Sequence, residues 1–163
     1  MDKLSIRFGR KEDEPSLVNF FSEPGVLRWF PMCNQPEVQD SARVWFTYAP
    51  TKAVLTAVWD GIVCGTAVLY ISPYQKTKHQ CLFAIIVDQK YRGKGVGSRL
   101  LEELLHQAKA RFSISLIHLE VYRGNPALSL YKRLGFTEYG CHKNYLKEAD
   151  GTYLDKILMQ KTL

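Results

Sequence analysis

Long apolar runs are missing from this sequence of 163 residues. The longest uninterrupted run, residues 81–87, has seven apolar residues, whereas a membrane-spanning helix needs about 20. Residues 1–4 also lack the apolar stretch of a signal peptide. These absences argue against a membrane partner and predict a cytoplasmic protein.

Cysteine and histidine are also scarce, with four of each. No two cysteines stand close enough in the sequence for a CxxC pair, and the histidines do not form a metal-binding set. Cys64 and Cys81 lie inside apolar, strand-like stretches, where cysteine usually behaves as a small hydrophobic residue. We therefore predict buried free thiols rather than disulfides or a metal site.

Acidic residues are outnumbered, since 16 Asp and Glu stand against 22 Lys and Arg, which gives a net charge of +6. This excess favours an anionic partner, such as a nucleic acid, a membrane surface or a phosphorylated cofactor. The basic residues are scattered, however, and no platform for stacking bases accompanies them, which argues against nucleic acid. No repeat, low-complexity tract or linker divides the chain, so residues 1–163 are predicted to form a single domain.

The apolar periodicity predicts elements in the order β-α-α-β-β-β-α-β-α-β-β. The strands are predicted at residues 4–8, 53–59, 62–71, 81–87, 114–121, 136–145 and 153–159. The helices are predicted between residues 13 and 25, and at residues 40–48, 96–112 and 126–134. Asp60-Gly61 and Asp150-Gly151 mark tight turns between antiparallel strands, whereas the strand–helix–strand unit over residues 81–121 is a parallel crossover. The predicted fold class is therefore α/β with a mixed sheet.

Three alternating glycines, Gly93, Gly95 and Gly97, separate the predicted central strand from the longest predicted helix. Without Cβ atoms, this backbone can turn tightly and bring its N–H groups against an anion. The helix N-terminus that follows adds unpaired N–H groups and a partial positive charge, and Arg92 and Lys94 add full charges. Together these features predict a loop that binds a pyrophosphate.

Two common phosphate motifs do not fit this loop. The chain contains no GxxxxGK[S/T] string, which excludes a P-loop. A GxGxxG fingerprint that starts at Gly93 would need a glycine where this chain has Ser98. The loop also lies in the middle of the chain rather than in its first strand–helix unit.

The string Arg92-x-x-Gly95-x-Gly97 resembles the [Q/R]xxGx[G/A] signature of the GCN5-related N-acetyltransferases. In that family, the amides of this loop hold the pyrophosphate of acetyl-coenzyme A (acetyl-CoA). The resemblance implies cofactor binding by one contiguous segment: Arg92, Gly93, Lys94, Gly95, Val96, Gly97 and Ser98. It also implies a mostly antiparallel sheet of about seven strands with one splayed parallel pair, flanked by about four helices.

A second block, residues 119–136, resembles the family's LEV…NxxAxxxYxxxGF pattern. The spacings from Ala127 to Tyr131 and from Tyr131 to Gly135 match, whereas Asn125 stands two residues before Ala127 instead of three. The resemblance implies that Asn125 and Tyr131 contact the cofactor and that Tyr131 is the general acid. The chemistry agrees, because a phenol with a pKa of about 10 can protonate a leaving thiolate, whose thiol has a pKa of about 8.5.

The residue that takes the proton of the amine is open to three interpretations. Many family members carry a carboxylate on the cofactor strand, where this chain has Leu82 and Phe83. Glu120 matches the glutamate of the LEV motif, and between Leu119 and Val121 it should be paired or poised, because burying a charge is costly. Glu120 is therefore either the base or a structural and substrate-orienting residue, and a chain of water molecules is the third candidate.

The cofactor strand is also expected to bind through its backbone. In the family, this strand splays from its parallel neighbour and binds pantetheine as an added strand would. The resemblance implies this role for Ile85 and Val87, with one amide facing the thioester oxygen as a hydrogen-bond donor.

The acceptor groove of the family lies between the first two helices, the loop that joins them and the last two strands. The resemblance therefore implies acceptor contacts for four side chains: Trp29, Phe30, Tyr74 and His142. Such a rim suits a small amine with an apolar part. We predict an enzyme that transfers the acetyl group of acetyl-CoA to a primary amine of an amino acid, an amino sugar or a related small molecule. The expected route is direct attack in a ternary complex.

Two other functions remain open at this point. The first is acetylation of a protein N-terminus or a lysine side chain. The second is a noncatalytic acyl-CoA-binding module, against which the intact Tyr131 argues. The protein is expected to act as a monomer or homodimer, without a metal.

Overall fold

Seven strands form one mixed sheet in the computed structural model, which describes residues 3–163, and their spatial order is β1-β2-β3-β4-β5-β7-β6. The strands are β1 Leu4–Phe8, β2 Val54–Trp59, β3 Ile62–Ile71, β4 Gln80–Val87, β5 Leu116–Tyr122, β6 Thr137–Lys147 and β7 Tyr153–Thr162. The α-helices are α1 Glu14–Phe21, α2 Gln35–Phe46, α3 Val96–Phe112 and α4 Leu128–Arg133. The predicted fold class and order of elements are confirmed.

All neighbouring strands are antiparallel except β4 and β5, which are parallel, as the crossover through α3 requires. At the β2–β3 turn, Asp60 has φ 47° and Gly61 has φ 82°. Both values lie in the left-handed region that a two-residue hairpin turn demands and that Asp-Gly adopts readily. The turn therefore forms where the sequence predicted it.

Two helices begin at other residues than predicted, and in both cases an asparagine side chain binds a nearby backbone N–H group. The Asn34 side chain accepts the N–H of Glu37, so α2 starts at Gln35 rather than at residue 40. The Asn125 Oδ1 accepts the N–H of Ala127 at 2.9 Å, which makes a turn before α4 and delays its start from residue 126 to Leu128.

The helices cover the two faces of the sheet unequally. Under α3, Leu100 and Leu104 pack in one buried cluster with residues of β5 and β7, such as Leu119. On the opposite face, α1 and α2 bury a second cluster in which Trp45 packs with Val68 and other residues of β2, β3 and β4. Among the described residues, this second cluster contains none from β5, β7 or β6.

The thiols divide into two groups. Cys64 and Cys81 are buried as predicted, with 0% and 1% of their surface exposed, whereas Cys33 and Cys141 are exposed, contrary to the prediction. All four thiols are free. Within residues 3–163, no cluster of His, Cys, Asp and Glu side chains suits a metal ion, and no helix has the length and apolarity to span a membrane.

Candidate active site

A cleft opens where the two parallel strands separate. β4 and β5 pair only from Gln80 with Leu116 to Leu82 with His118. Beyond these pairs, residues 83–87 of β4 leave β5 and border a cleft of about 510 Å³. The cleft is lined from β4, β5, α4, the loop before α3 and the segment after α1.

The backbone of β4 offers hydrogen-bond donors to this cleft. The N–H of Asp88 donates to the carbonyl of Cys64 in β3 at 2.9 Å. Backbone polar groups alternate in direction along a strand, so those of Ile85 and Val87 point away from β3 and toward the cleft, which both residues line. The Val87 carbonyl accepts from Arg92 Nε at 3.0 Å. The N–H groups of Ile85 and Val87 therefore face the cleft, and their binding to pantetheine stays a prediction.

The loop between β4 and α3 is shaped for an anion. Gly93 and Gly95 have φ values of 71° and 81°, a conformation that residues with a Cβ rarely adopt. The N–H of Arg99 donates to the Gly95 carbonyl at 3.1 Å and starts the hydrogen bonding of the helix. The three preceding N–H groups, of residues 96–98, have no helical acceptor before them, as at any helix N-terminus. This geometry fits a phosphate group.

The side chains of the loop separate into two sets. Arg92 and Ser98 line the cleft together with the glycines, and Ser98 Oγ lies 3.3 Å from Arg133 Nη2 of α4. Lys94 instead places its ammonium over the ring of Trp59. Val96 is 1% exposed and packs in the core. The ammonium group of Lys94, which was predicted to add charge to the loop, is therefore directed away from the cleft. Arg133, which the sequence analysis did not select, lines the cleft instead.

Tyr131 is held rigidly in the cleft by other rings. It lies on α4, is 8% exposed and packs edge-on against Phe83 and Phe136, each at 6.1 Å between ring centroids. None of the described residues hydrogen-bonds its hydroxyl group. Burial raises the pKa of Tyr131, so the phenol stays protonated at neutral pH and can donate a proton. Asn125 lines the same cleft beside it.

Glu120 lies on the open face of β5 and is not buried. Its neighbours Leu119 and Val121 are 2% and 6% exposed, but successive side chains of a strand point to opposite faces. The Glu120 side chain is therefore 42% exposed, lines the cleft and accepts a hydrogen bond from Lys156 Nζ at 3.0 Å. The expectation of a buried carboxylate is corrected, whereas that of a paired one holds.

Trp29 and Phe30 line the cleft on the side of α1 and α2. Trp29 ends a short helical turn, Val26–Trp29, and Phe30, which follows it, packs against Phe21 at 4.9 Å between ring centroids. A Cβ built on Gly124 would lie 3.8 Å from the edge of the Trp29 ring, so Trp29 reaches the loop after β5. The structure thus brings both aromatic residues together with Glu120 and Tyr131.

Two residues of the predicted acceptor set lie outside the cleft. Tyr74 is 73% exposed in the loop before β4, at the end where β4 and β5 are still paired, so the structure does not bring it to the splayed end. His142 lies exposed on β6, opposite Lys156 of β7, with its ring 5.1 Å from that of Tyr145. His142 therefore neighbours Lys156, which binds Glu120, but it does not itself line the cleft.

Comparison with known proteins fixes the family. The family model described as "Acetyltransferase (GNAT) family" matches residues 20–136, which include the loop before α3 and Tyr131. The chain belongs to the GNAT acetyltransferase family. It is an acetyl-CoA-dependent N-acetyltransferase, and acetyl-CoA is its cosubstrate.

Named relatives of this GNAT chain act on different amines. It is 27% identical to the L-amino acid N-acetyltransferase AaaT of Escherichia coli K12 over 99% of both chains. It is 39% identical to the [ribosomal protein bS18]-alanine N-acetyltransferase of the same organism, over 48% of this chain and 52% of the relative.

Solved structures share the fold along the whole length. A ribosomal-protein-alanine N-acetyltransferase from Brucella melitensis superposes with a TM-score of 0.82 at 27% identity, over 98% of this chain and 99% of that one. The Salmonella typhimurium protein yncA, solved with acetyl-CoA, gives a TM-score of 0.83 at 24% identity, over 99% and 95% of the two chains.

Proposed function

We propose that this acetyltransferase acts on the primary amine of a small molecule, namely an amino acid, an amino sugar or a related amine. The observation that carries the proposal is the cleft itself, which has an anion-binding loop at one end and an aromatic rim beside a carboxylate at the other. Trp29 and Phe30 narrow the second end. The relative named for L-amino acids is also similar over 99% of this chain, so the similarity includes the segment after α1.

Acetyl-CoA supplies an acetyl thioester, and the described residues fit each of its parts. The N–H groups at the start of α3, with Gly93 and Gly95 in left-handed conformations, suit the pyrophosphate. Arg92 and Arg133 add positive charge at the same end. The N–H groups of Ile85 and Val87 suit the amides of pantetheine, which would extend the sheet where β5 has left it.

The chain then has two proton-handling groups to offer. Tyr131 donates a proton to the leaving sulfur, because its phenol is protonated and lacks a hydrogen-bond partner among the described residues. Glu120 accepts the proton of the attacking amine, directly or through water, because its carboxylate is in the cleft and partly exposed. The acceptor and the donor are bound together, and the amine attacks directly.

The cofactor part of the proposal is tested by thermal unfolding. Acetyl-CoA at 100 times its dissociation constant should stabilise the protein by about 2.7 kcal/mol. NADH and ATP, tested at the same concentrations, should stabilise it much less. A larger shift with NADH than with acetyl-CoA would show that the loop has another ligand.

The acceptor part is tested by thiol release from acetyl-CoA with a panel of amines. The panel contains free L-amino acids, the amides of the same amino acids, amino sugars and a tripeptide that begins with alanine. Fastest release with a free amino acid or amino sugar supports the proposal. Fastest release with the tripeptide instead supports a protein acceptor, which the Brucella melitensis structure favours. Acetyl-CoA binding without release for any amine would leave only a binding module.

A further inference from the structure

Lys156 is a buried cation at the acceptor end of the cleft. It lies on β7, opposite Tyr122 of β5 and His142 of β6, and is only 8% exposed. Lysine is almost never buried to this degree without a partner, because the charged form loses its hydration. The contacts of its ammonium group are therefore informative.

Two groups hold this ammonium in place. Lys156 Nζ donates to Glu120 Oε2 at 3.0 Å, and it stands 3.6 Å from the centroid of the Tyr145 ring. The second distance is that of a cation–π contact, which also stabilises the charge. Tyr145 is fixed in turn by Tyr122, at 6.3 Å between ring centroids, and by His142.

The charge of Lys156 is stable at neutral pH. Burial by itself lowers the pKa of Lys156. The hydrogen bond and charge of Glu120, together with Tyr145, raise this pKa by more than burial lowers it, so the net shift is upward. The other titratable groups on this face are His118 and Tyr122 of β5 and His142 of β6. Beside them, Arg123 is paired with Asp155 at 3.3 Å.

We propose that Lys156 is a positioning residue for acetyl transfer, which holds the Glu120 carboxylate toward the acceptor amine. This inference rests on the proposed function of Glu120. Lys156 binds Oε2 and leaves Oε1 for the amine, so a side chain that is 42% exposed is held in one orientation. Without the ammonium group, Glu120 would turn freely in solvent, and a displacement of about 1 Å can cost about 100-fold in rate.

The test compares the wild type with Lys156→Met, which keeps the length of the side chain, and Lys156→Arg, which keeps the charge. With the fastest amine of the panel, Lys156→Met should lower kcat about 10- to 100-fold and leave the acetyl-CoA dissociation constant within about twofold. Lys156→Arg should restore part of the rate.

Arg123→Met is the matched control, because it breaks an ion pair between the residue directly after β5 and Asp155 of β7, outside the cleft. Its kcat should stay that of the wild type. Wild-type kcat in Lys156→Met would overturn the inference, as would a Lys156→Arg variant that is no faster than Lys156→Met. Should that variant not fold, Tyr145→Leu takes its place, with an expected loss of kcat of about threefold or more.

The two proposals fail in different ways. If the wild type acetylates only the tripeptide, the small-molecule proposal fails, and the Lys156 variants are measured with that peptide. If the wild type acetylates a small amine and Lys156→Met does so equally well, the inference about Lys156 alone fails. If no amine is acetylated by the wild type, both are overturned.

Discussion

The two ends of the cleft are built on different principles. The proposed phosphate end is one contiguous segment, residues 92–98, which offers backbone N–H groups at the start of α3. The proposed acceptor end is assembled from separate segments, with Trp29 and Phe30 after α1, Glu120 on β5 and Lys156 on β7, and it offers side chains. A backbone site is thus insensitive to most side-chain changes, whereas the acceptor site can change with single substitutions.

The largest effect should follow from filling the phosphate end. Gly97 lies in α3, and a Cβ built there would be 3.5 Å from Leu130 and 3.8 Å from Val87, both residues that line the cleft. Gly97→Glu would therefore place a carboxylate where the pyrophosphate is proposed to bind. We expect acetyl-CoA binding to fall at least 1,000-fold, or about 4 kcal/mol, by isothermal titration calorimetry.

Gly97→Ala is the control for this variant, because both contacts are ordinary van der Waals distances and alanine favours a helix. It should bind acetyl-CoA within about threefold of the wild type. Gly95 is a poorer test, since its φ of 81° would strain any side chain. Binding that is unchanged in Gly97→Glu would place the phosphates elsewhere.

The next effect concerns the group between the two ends. Tyr131→Phe keeps the ring that packs on Phe83 and Phe136 but removes the proton donor. We expect kcat to fall about 100- to 10,000-fold, with little change in acetyl-CoA affinity. Single-turnover rates are the proper measure, because slow product release could hide part of the loss.

The pH dependence follows from the sign of the pKa shift. Burial raises the pKa of Tyr131 above the pKa of an ordinary phenol, which is about 10. The phenol therefore loses its proton only at a pH above about 10. The basic limb of the wild-type profile should therefore lie above about pH 10 and disappear in Tyr131→Phe. A wild-type single-turnover rate in that variant would leave solvent as the proton donor.

A smaller effect is expected at the acceptor rim. Trp29→Ala removes a ring that lines the cleft and reaches the loop at Gly124. We expect the KM of the acceptor to rise about 10-fold, or 1.4 kcal/mol, while acetyl-CoA affinity changes less than about twofold. Tyr74→Ala is the control, since Tyr74 is an exposed aromatic residue away from the splay. An equal rise of KM in both variants would contradict the assignment of this rim.

The sequence predicted the sheet well because each strand carries its own signal. Alternation, apolar runs and Asp-Gly turns are local, and the parallel pair followed from the helix between its strands. The same locality explains why the shape of the loop before α3 could be predicted, since its glycines and the following helix are adjacent in the chain. The start of α2 was missed because Asn34, which caps it, stands in a polar stretch without apolar periodicity.

The acceptor end was harder to predict because its contacts depend on strand register. Lys156 and Glu120 are 36 residues apart and meet only because β7 pairs with β5 in one register. Nothing in the spacing of these two residues signals their contact. Tyr74 was assigned to the acceptor groove from the family resemblance, but the loop that carries it lies at the end of β4 opposite to the splay.

The smallest effect on acetyl-CoA affinity distinguishes the contribution of side-chain charge at the phosphate end from that of the backbone N–H groups. Lys94 belongs to the loop, yet its Nζ stands 5.7 Å from the Trp59 ring centroid and 5.3 Å from that of Tyr91. Lys94→Met removes this cation but keeps the backbone N–H groups, so acetyl-CoA affinity should fall less than about threefold. Arg92→Met is the comparison, because Arg92 lines the cleft and binds the Val87 carbonyl, and it should lose about 10-fold. Lys94→Met should also cost about 0.5–1 kcal/mol in the free energy of unfolding by urea, as an exposed cation–π contact would. A loss of affinity in Lys94→Met as large as that in Arg92→Met would show that side-chain charge, rather than the backbone, dominates this end of the cleft.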